Sequence, residues 1–137
     1  MDAVVLTAKI SDAFADVTLP TSVVSHQCPE CESVETAFEG RRWSEVPVDT
    51  IRYHRDALPL LTPEAYVFLI PAYLIAAVRE PLGDIAPMVL YSLQPSADRR
   101  GCPFTDRQRS VLLEVGEWLA DRESWGIEMR RIRKYWA

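Results

Sequence analysis

One stretch of the sequence decides the fold of this chain: Thr62-Pro63-Glu64-Ala65-Tyr66-Val67-Phe68-Leu69-Ile70-Pro71-Ala72-Tyr73-Leu74-Ile75-Ala76-Ala77-Val78. Its start has a capping threonine, a proline suited to the first turn, and a glutamate that favours the positive end of the helix dipole. The uncharged run over 65–78 has 14 residues, whereas a membrane span needs roughly 20. Pro71 lies inside the run and predicts a kink or a break near 67–70. The stretch therefore predicts a buried, proline-kinked central helix.

Shorter helical patterns precede and follow this stretch, and most of the ten prolines fall between them. The apolar spacing predicts helices over 7–16, 28–39, 49–57 and 84–93, although 88–93 also fits a strand. Pro29 suits the first turn of the second of these helices, and Gly40 suits its C-terminal stop. Residues 21–25 have an extended character but are too few to define a sheet.

The last helical region begins at Thr105, because Thr105 and Gln108 have the spacing of a capping box. Gly126 and the length of the region predict a bend near Ser124, which would give two helices. Apolar residues recur along it at roughly heptad spacing: Val111, Val115, Trp118, Trp125, Met129, Ile132 and Trp136. We therefore expect an all-α, compact single domain over 1–137, with six or seven short helices. The residues expected to be largely buried are Trp43, Phe68, Tyr73, Leu74, Val115, Trp118 and Leu119.

The composition bounds the function. A chain of 137 residues with a net charge of −5 fits one globular domain and disfavours general nucleic-acid binding, which needs a clustered positive face. Residues 1–40 hold seven acids and one base, whereas residues 122–137 hold five bases and two acids. This asymmetry could make the two ends of the chain attract each other in the fold, or present an acidic face to a partner. Three cysteines, with no basic leader at the start, predict a cytoplasmic protein without a signal peptide or a disulfide framework. No membrane association is expected.

The run His26-Gln27-Cys28-Pro29-Glu30-Cys31 concentrates the residues able to do chemistry. His26, Cys28 and Cys31 could hold zinc, and the fourth ligand of a structural site would be Cys102 or His54. With three ligands and a water the site could be hydrolytic, and Glu30 is then the candidate general base.

Two other interpretations of this run stay open. Cys28 at a helix start could be a redox thiol, because the helix dipole stabilises a thiolate there. The favoured interpretation is structural: Cys28 caps the helix, and Cys31 shares a buried stripe with Val34 and Phe38. Under that interpretation the chain needs no cofactor.

Two further features carry weaker functional signals. The run Tyr53-His54-Arg55-Asp56 places an imidazole between charges and could be an acid–base or anion site, although a salt-bridged histidine is more common. Four basic residues near the C-terminus could contact RNA or an acidic protein, but such a helix face is more often solvated: Arg130, Arg131, Arg133 and Lys134. The motifs of serine hydrolases, phosphate loops, dinucleotide sites and zincins do not occur in the sequence.

Several motifs occur in an order that covers most of the chain. They are the run from His26 to Cys31, Leu60-Leu61-Thr62-Pro63-Glu64-Ala65, Leu69-Ile70-Pro71-Ala72-Tyr73-Leu74, and Phe104-Thr105 with Gln108. In this order the chain resembles a bacterial domain family of unknown function. The resemblance implies a single bacterial domain and brings no reaction, substrate or cofactor with it.

The sequence favours a cytoplasmic, non-catalytic bacterial interaction protein whose partner is another protein. An immunity-type or regulatory role is the concrete form of this hypothesis, because a small acidic helical chain suits the neutralisation of a basic partner. The alternative is a small metal- or thiol-dependent enzyme that uses His26, Cys28 and Cys31.

Overall fold

The computed structural model describes residues 2–94, 102–122 and 129–136, and these ranges contain seven α-helices. The helices are α1 (Ala3–Ala13), α2 (Pro29–Phe38), α3 (Val48–Tyr53), α4 (Pro63–Arg79), α5 (Ile85–Ser92), α6 (Asp106–Ala120) and α7 (Met129–Trp136). A 3₁₀ turn at Trp43–Glu45 lies between α2 and α3, and a second one at Leu58–Leu60 lies between α3 and α4. The β structure in the described ranges is one isolated antiparallel bridge between Val24 and Leu61. The predicted all-α bundle of six or seven helices is confirmed.

Helix α4 lies at the centre of the bundle. Thirteen of its 17 residues are buried, and it packs against α1, α3, α5, α6 and the turn at Trp43. It continues through Pro71 without interruption, so a break at 67–70 is excluded, whereas a kink there stays a prediction. The proline removes one backbone donor, but helices in proteins are stabilised mainly by tertiary packing, which here surrounds α4. Among the described residues, no helix combines the length and apolar character needed to cross a membrane.

Helix α1 begins four residues before the predicted start at residue 7. The side chain of Asp2 accepts a hydrogen bond from the Val5 amide at 2.9 Å, and this cap fixes the start of the helix. Leu6 and Ile10 are buried on its inner face, and Phe14 is buried at its C-terminal end. The apolar spacing was therefore informative about the buried face, whereas the predicted helix boundaries were wrong.

The predicted boundaries of α2 and α5 agree with the structure more closely. Gly40 adopts a φ of +71° two residues after the end of α2, as expected for a glycine that stops a helix. The segment 88–93 lies mostly in α5 and forms no strand. Helix α3 is shorter than predicted, because the chain leaves the α-helix at His54 and then forms the 3₁₀ turn Leu58–Leu60.

The segment around Val23 is held between α2 and the start of α4. One carboxylate oxygen of Glu35 accepts hydrogen bonds from the backbone amides of Val23 and Val24, both at 3.1 Å. The Thr62 amide donates to the Val23 carbonyl at 3.0 Å, and the Thr62 hydroxyl donates to the Ser22 carbonyl at 2.9 Å. The segment 21–25, for which an extended character is predicted, is therefore held by both side-chain and backbone hydrogen bonds and forms one isolated bridge at Val24.

Helices α6 and α7 complete the bundle. The predicted capping box of Thr105 and Gln108 is present, while the predicted bend near Ser124 lies outside the described residues. Helix α7 packs on α6, and the Trp136 indole donates to the Leu93 carbonyl at 2.8 Å. Five of the residues expected to be buried are buried, namely Phe68, Tyr73, Leu74, Val115 and Leu119, whereas Trp43 and Trp118 are half-buried.

Candidate functional site

The two cysteines at the start of α2 both contribute to the local structure of the helix. Cys28 is the N-cap of α2, and its sulfur accepts a hydrogen bond from the Cys31 amide at 3.1 Å. The Cys31 side chain is 1% exposed and lies on the buried stripe with Val34 and Phe38. The capping role predicted for Cys28 and the buried stripe predicted for Cys31 are both confirmed.

The environment of Cys31 favours the protonated thiol. Its side-chain hydrogen bond with Cys28, together with burial, raises the pKa of the Cys31 thiol to about 11. The thiolate is the nucleophilic form of cysteine, so a thiol with this pKa is almost entirely unreactive at neutral pH. In this geometry Cys31 is packed as a small apolar side chain.

The other residues considered as zinc ligands are distributed over the fold. His26 is exposed, Cys102 is half-buried against the core, and His54 is buried. Within residues 2–94, 102–122 and 129–136, no three side chains of histidine, cysteine, aspartate or glutamate form a group that could hold a metal ion. The zinc site of His26, Cys28 and Cys31 stays a prediction of the sequence, and the zinc content of protein purified without added metal tests it.

His54 marks the point where α2, α3 and α4 meet. Its ring packs at 61° against Phe38 of α2, with the ring centroids 5.6 Å apart, and the Tyr53 ring lies 4.8 Å from it on the outer side. Its backbone carbonyl accepts a hydrogen bond from the buried Tyr73 hydroxyl of α4 at 2.7 Å. These contacts pack the C-terminal end of α3 against the core.

Two carboxylates act on the His54 imidazole. Burial lowers the pKa of His54 below its ordinary value, while the charges of Asp56 and Glu30 oppose this shift. Glu30 belongs to α2 and Asp56 follows α3, so the fold brings together two acids that lie 26 positions apart in the sequence. Glu30, considered above as a general base for the cysteine cluster, thus also acts on the imidazole of a different helix.

Glu30, Tyr53 and Asp56 each interact with His54, and we call these three residues the acidic Tyr53 surface. Tyr53 is 75% exposed, and both carboxylates are exposed. In the described part of the chain neither carboxylate is in an ion pair, in contrast to Glu80, which Arg52 of α3 engages at 3.1 Å. The Arg55 guanidinium donates to a backbone carbonyl of α3. The surface therefore combines an exposed tyrosine with two carboxylates that are in no ion pair among the described residues.

The low pKa of His54 predicts a loss of stability in mild acid. The unfolded chain has an ordinary histidine pKa of about 6.5, so on acidification it binds a proton at this residue before the folded protein does. The free energy of unfolding should therefore be highest above pH 7 and should fall as the pH drops through about 6.5 toward the folded pKa. Urea unfolding of the wild type and of His54→Asn between pH 7.5 and 5.5 tests this prediction. The free energy of unfolding of the wild type minus that of the variant should decrease as the pH is lowered. An unchanged difference across that range would contradict the prediction.

Comparison of the chain with family models, with curated proteins and with solved structures finds no match. The resemblance to a bacterial family, based on motif order, stays a prediction, as does the cytoplasmic location.

Proposed function

We propose that this chain is a non-catalytic interaction protein that binds a basic protein partner through the acidic Tyr53 surface. The observation that carries the proposal is Tyr53, which is 75% exposed and packs on His54, the residue on which the carboxylates of Glu30 and Asp56 act. Tyrosine is among the residues that dominate binding energy at protein interfaces. Unpaired carboxylates around it favour lysine and arginine side chains on the partner. A regulatory or immunity-type role, in which the chain neutralises a basic protein, is the form we favour.

The support beneath Tyr53 suits a binding anchor. Its ring rests at 77° on the His54 ring, which in turn packs on the buried Phe38. An aromatic side chain on a fixed base loses little conformational entropy on binding, so more of the contact energy appears as affinity. An arginine of the partner could stack on the exposed ring and pair with a neighbouring carboxylate at the same time.

The negative charge of α2 supports a positively charged partner. The helix carries three glutamates and no basic residue, and a fourth glutamate, Glu39, is its C-cap. Glu35 is used within the fold by two backbone amides, whereas Glu30, Glu32 and Glu39 are exposed. A patch of one sign accelerates encounter with an oppositely charged partner, and the acceleration falls as salt screens the field.

To test the proposal, tagged full-length protein is expressed in its native cells, cross-linked to its partners and purified. The cross-linked peptides are then identified. We expect one basic protein to be recovered by the wild type, with cross-links next to the acidic Tyr53 surface. Tyr53→Ala should reduce its recovery at least tenfold, since anchoring tyrosines contribute about 2 kcal/mol or more. Glu30→Lys combined with Asp56→Lys should abolish it, because two attractions become repulsions.

Two matched variants separate this surface from general effects. Tyr91 is 66% exposed on α5, and Asp121 is an exposed carboxylate at the C-terminal end of α6. Tyr91→Ala and Asp121→Lys should leave recovery at the wild-type level. The proposal is wrong if the partner is acidic, if all variants recover it equally, or if no protein is cross-linked next to Tyr53.

A further inference from the structure

A groove runs between α1, α3, α4 and the 3₁₀ turn at Trp43, on elements that only partly overlap those of the acidic Tyr53 surface. Its volume is about 270 Å³. Ala72 and Ala76, one helical turn apart on α4, form part of its lining, and their small side chains leave space that larger residues would fill. We refer to this cavity as the Trp43 groove.

Somewhat more than half of the lining of the Trp43 groove is apolar. Trp43, Ile51 and Ile75 line it, and the Trp43 indole is held in place because its N–H donates to the Phe14 carbonyl at 3.1 Å. A fixed aromatic plane and aliphatic side chains favour a ligand with an apolar body. The hydroxyl-bearing residues of the lining, Thr7, Ser11 and Ser44, add polarity on the sides formed by α1 and the turn.

One cation stands at the end of the groove. Arg79 lines it and is exposed at the last position of α4. The adjacent carboxylate, Glu80, is already engaged by Arg52 through hydrogen bonds of 3.1 and 3.2 Å. In the described portions of the chain no carboxylate is within ion-pair distance of Arg79. A planar guanidinium beside an apolar groove matches a ligand carboxylate, which it can bind through two parallel hydrogen bonds.

We propose that the Trp43 groove binds a small monocarboxylate with an apolar body and that Arg79 pairs with the carboxylate. The volume sets the size of this ligand. A cavity of about 150 Å³ holds one benzene molecule, so about 270 Å³ accommodates one aromatic ring, or an alkyl chain of similar size, with a short acidic arm. The ligand class is therefore aryl-substituted or short-chain carboxylic acids.

The test titrates the full-length, ¹⁵N-labelled protein with phenylacetate and, separately, with phenylacetamide, which has a similar shape but no charge. We expect saturable shifts at the Trp43 indole N–H and at the backbone amides of Ala76 and Arg79. The acid should bind at least about tenfold more tightly than the amide, because a charge-assisted pair replaces a neutral contact.

Three variants assign the binding to the groove. Arg79→Gln should reduce the affinity for phenylacetate to that for phenylacetamide, and Ser11→Phe, at an exposed position of the lining on α1, should block both. Arg130→Gln, which removes an exposed arginine on α7, should change neither. The proposal is overturned if phenylacetate causes no saturable shift, if acid and amide bind equally, or if Arg79→Gln retains the preference for the acid.

Discussion

Replacing Trp136 with alanine is expected to lower the free energy of unfolding by about 3–5 kcal/mol. The side chain is 4% exposed, and its ring packs at 80° against Phe104, with the centroids 5.3 Å apart. The substitution removes this packing and also leaves the Leu93 carbonyl without the indole donor at 2.8 Å. Urea unfolding followed by far-ultraviolet circular dichroism measures the change without relying on tryptophan fluorescence.

Two further variants separate the contributions of the Trp136 ring and its hydrogen bond from a general effect of substitutions in α7. Trp136→Phe keeps an aromatic ring and removes the hydrogen bond, so we expect it to cost about 1–2 kcal/mol. Arg130→Ala changes an exposed side chain on the same helix and should stay within about 0.5 kcal/mol of the wild type. A loss below about 1 kcal/mol for Trp136→Ala would show that α7 does not dock on the core in solution.

Replacing Glu35 with alanine is expected to lower the free energy of unfolding by about 2–3 kcal/mol. Its carboxylate accepts from the amides of Val23 and Val24 at 3.1 Å each, and Val23 is 3% exposed. Without the carboxylate a buried amide loses its acceptor, and the segment that leads into the Val24–Leu61 bridge loses its link to α2. Hydrogen exchange at the two amides should accelerate together with the loss of stability.

The neighbouring Glu32 supplies the control for this prediction. It is exposed on the same helix, so Glu32→Ala makes the same chemical change without removing a buried acceptor and should cost less than about 0.5 kcal/mol. Glu35→Gln keeps an acceptor oxygen and should fall between the two alanine variants. Equal stability of Glu35→Ala and Glu32→Ala would refute the assigned role.

The helix starts that could be predicted from the sequence are those set by local chemistry. Thr62 and Thr105 cap α4 and α6 through hydrogen bonds to amides three residues away, and Cys28 does the same for α2. Such contacts depend only on residues close together in the sequence, so a short sequence motif is enough to predict them. Asp2 has the same role at α1, but the apolar spacing that predicts this helix begins at later residues and does not include the cap.

The acidic Tyr53 surface could not be predicted in full, because it depends on how α2 packs against α3. The sequence shows Tyr53, His54 and Asp56 together, and it shows Glu30 in another motif. Their association follows from the contact between Phe38 and His54, which joins residues 16 positions apart and has no local signature. The same holds for Glu35, whose role depends on a segment that precedes α2.

The central position of α4 also determines when the chain can finish folding during its synthesis. The helix packs against α1 and against α6, so its apolar surface cannot be covered completely until residue 120 has been added. At about 5–20 residues per second, the stretch from residue 79 to residue 120 takes roughly 2–8 s to synthesise. During that interval the longest uncharged segment of the chain is open to other nascent chains and to chaperones. Slow translation between Arg79 and Ala120 should therefore favour aggregation more than slow translation before Thr62.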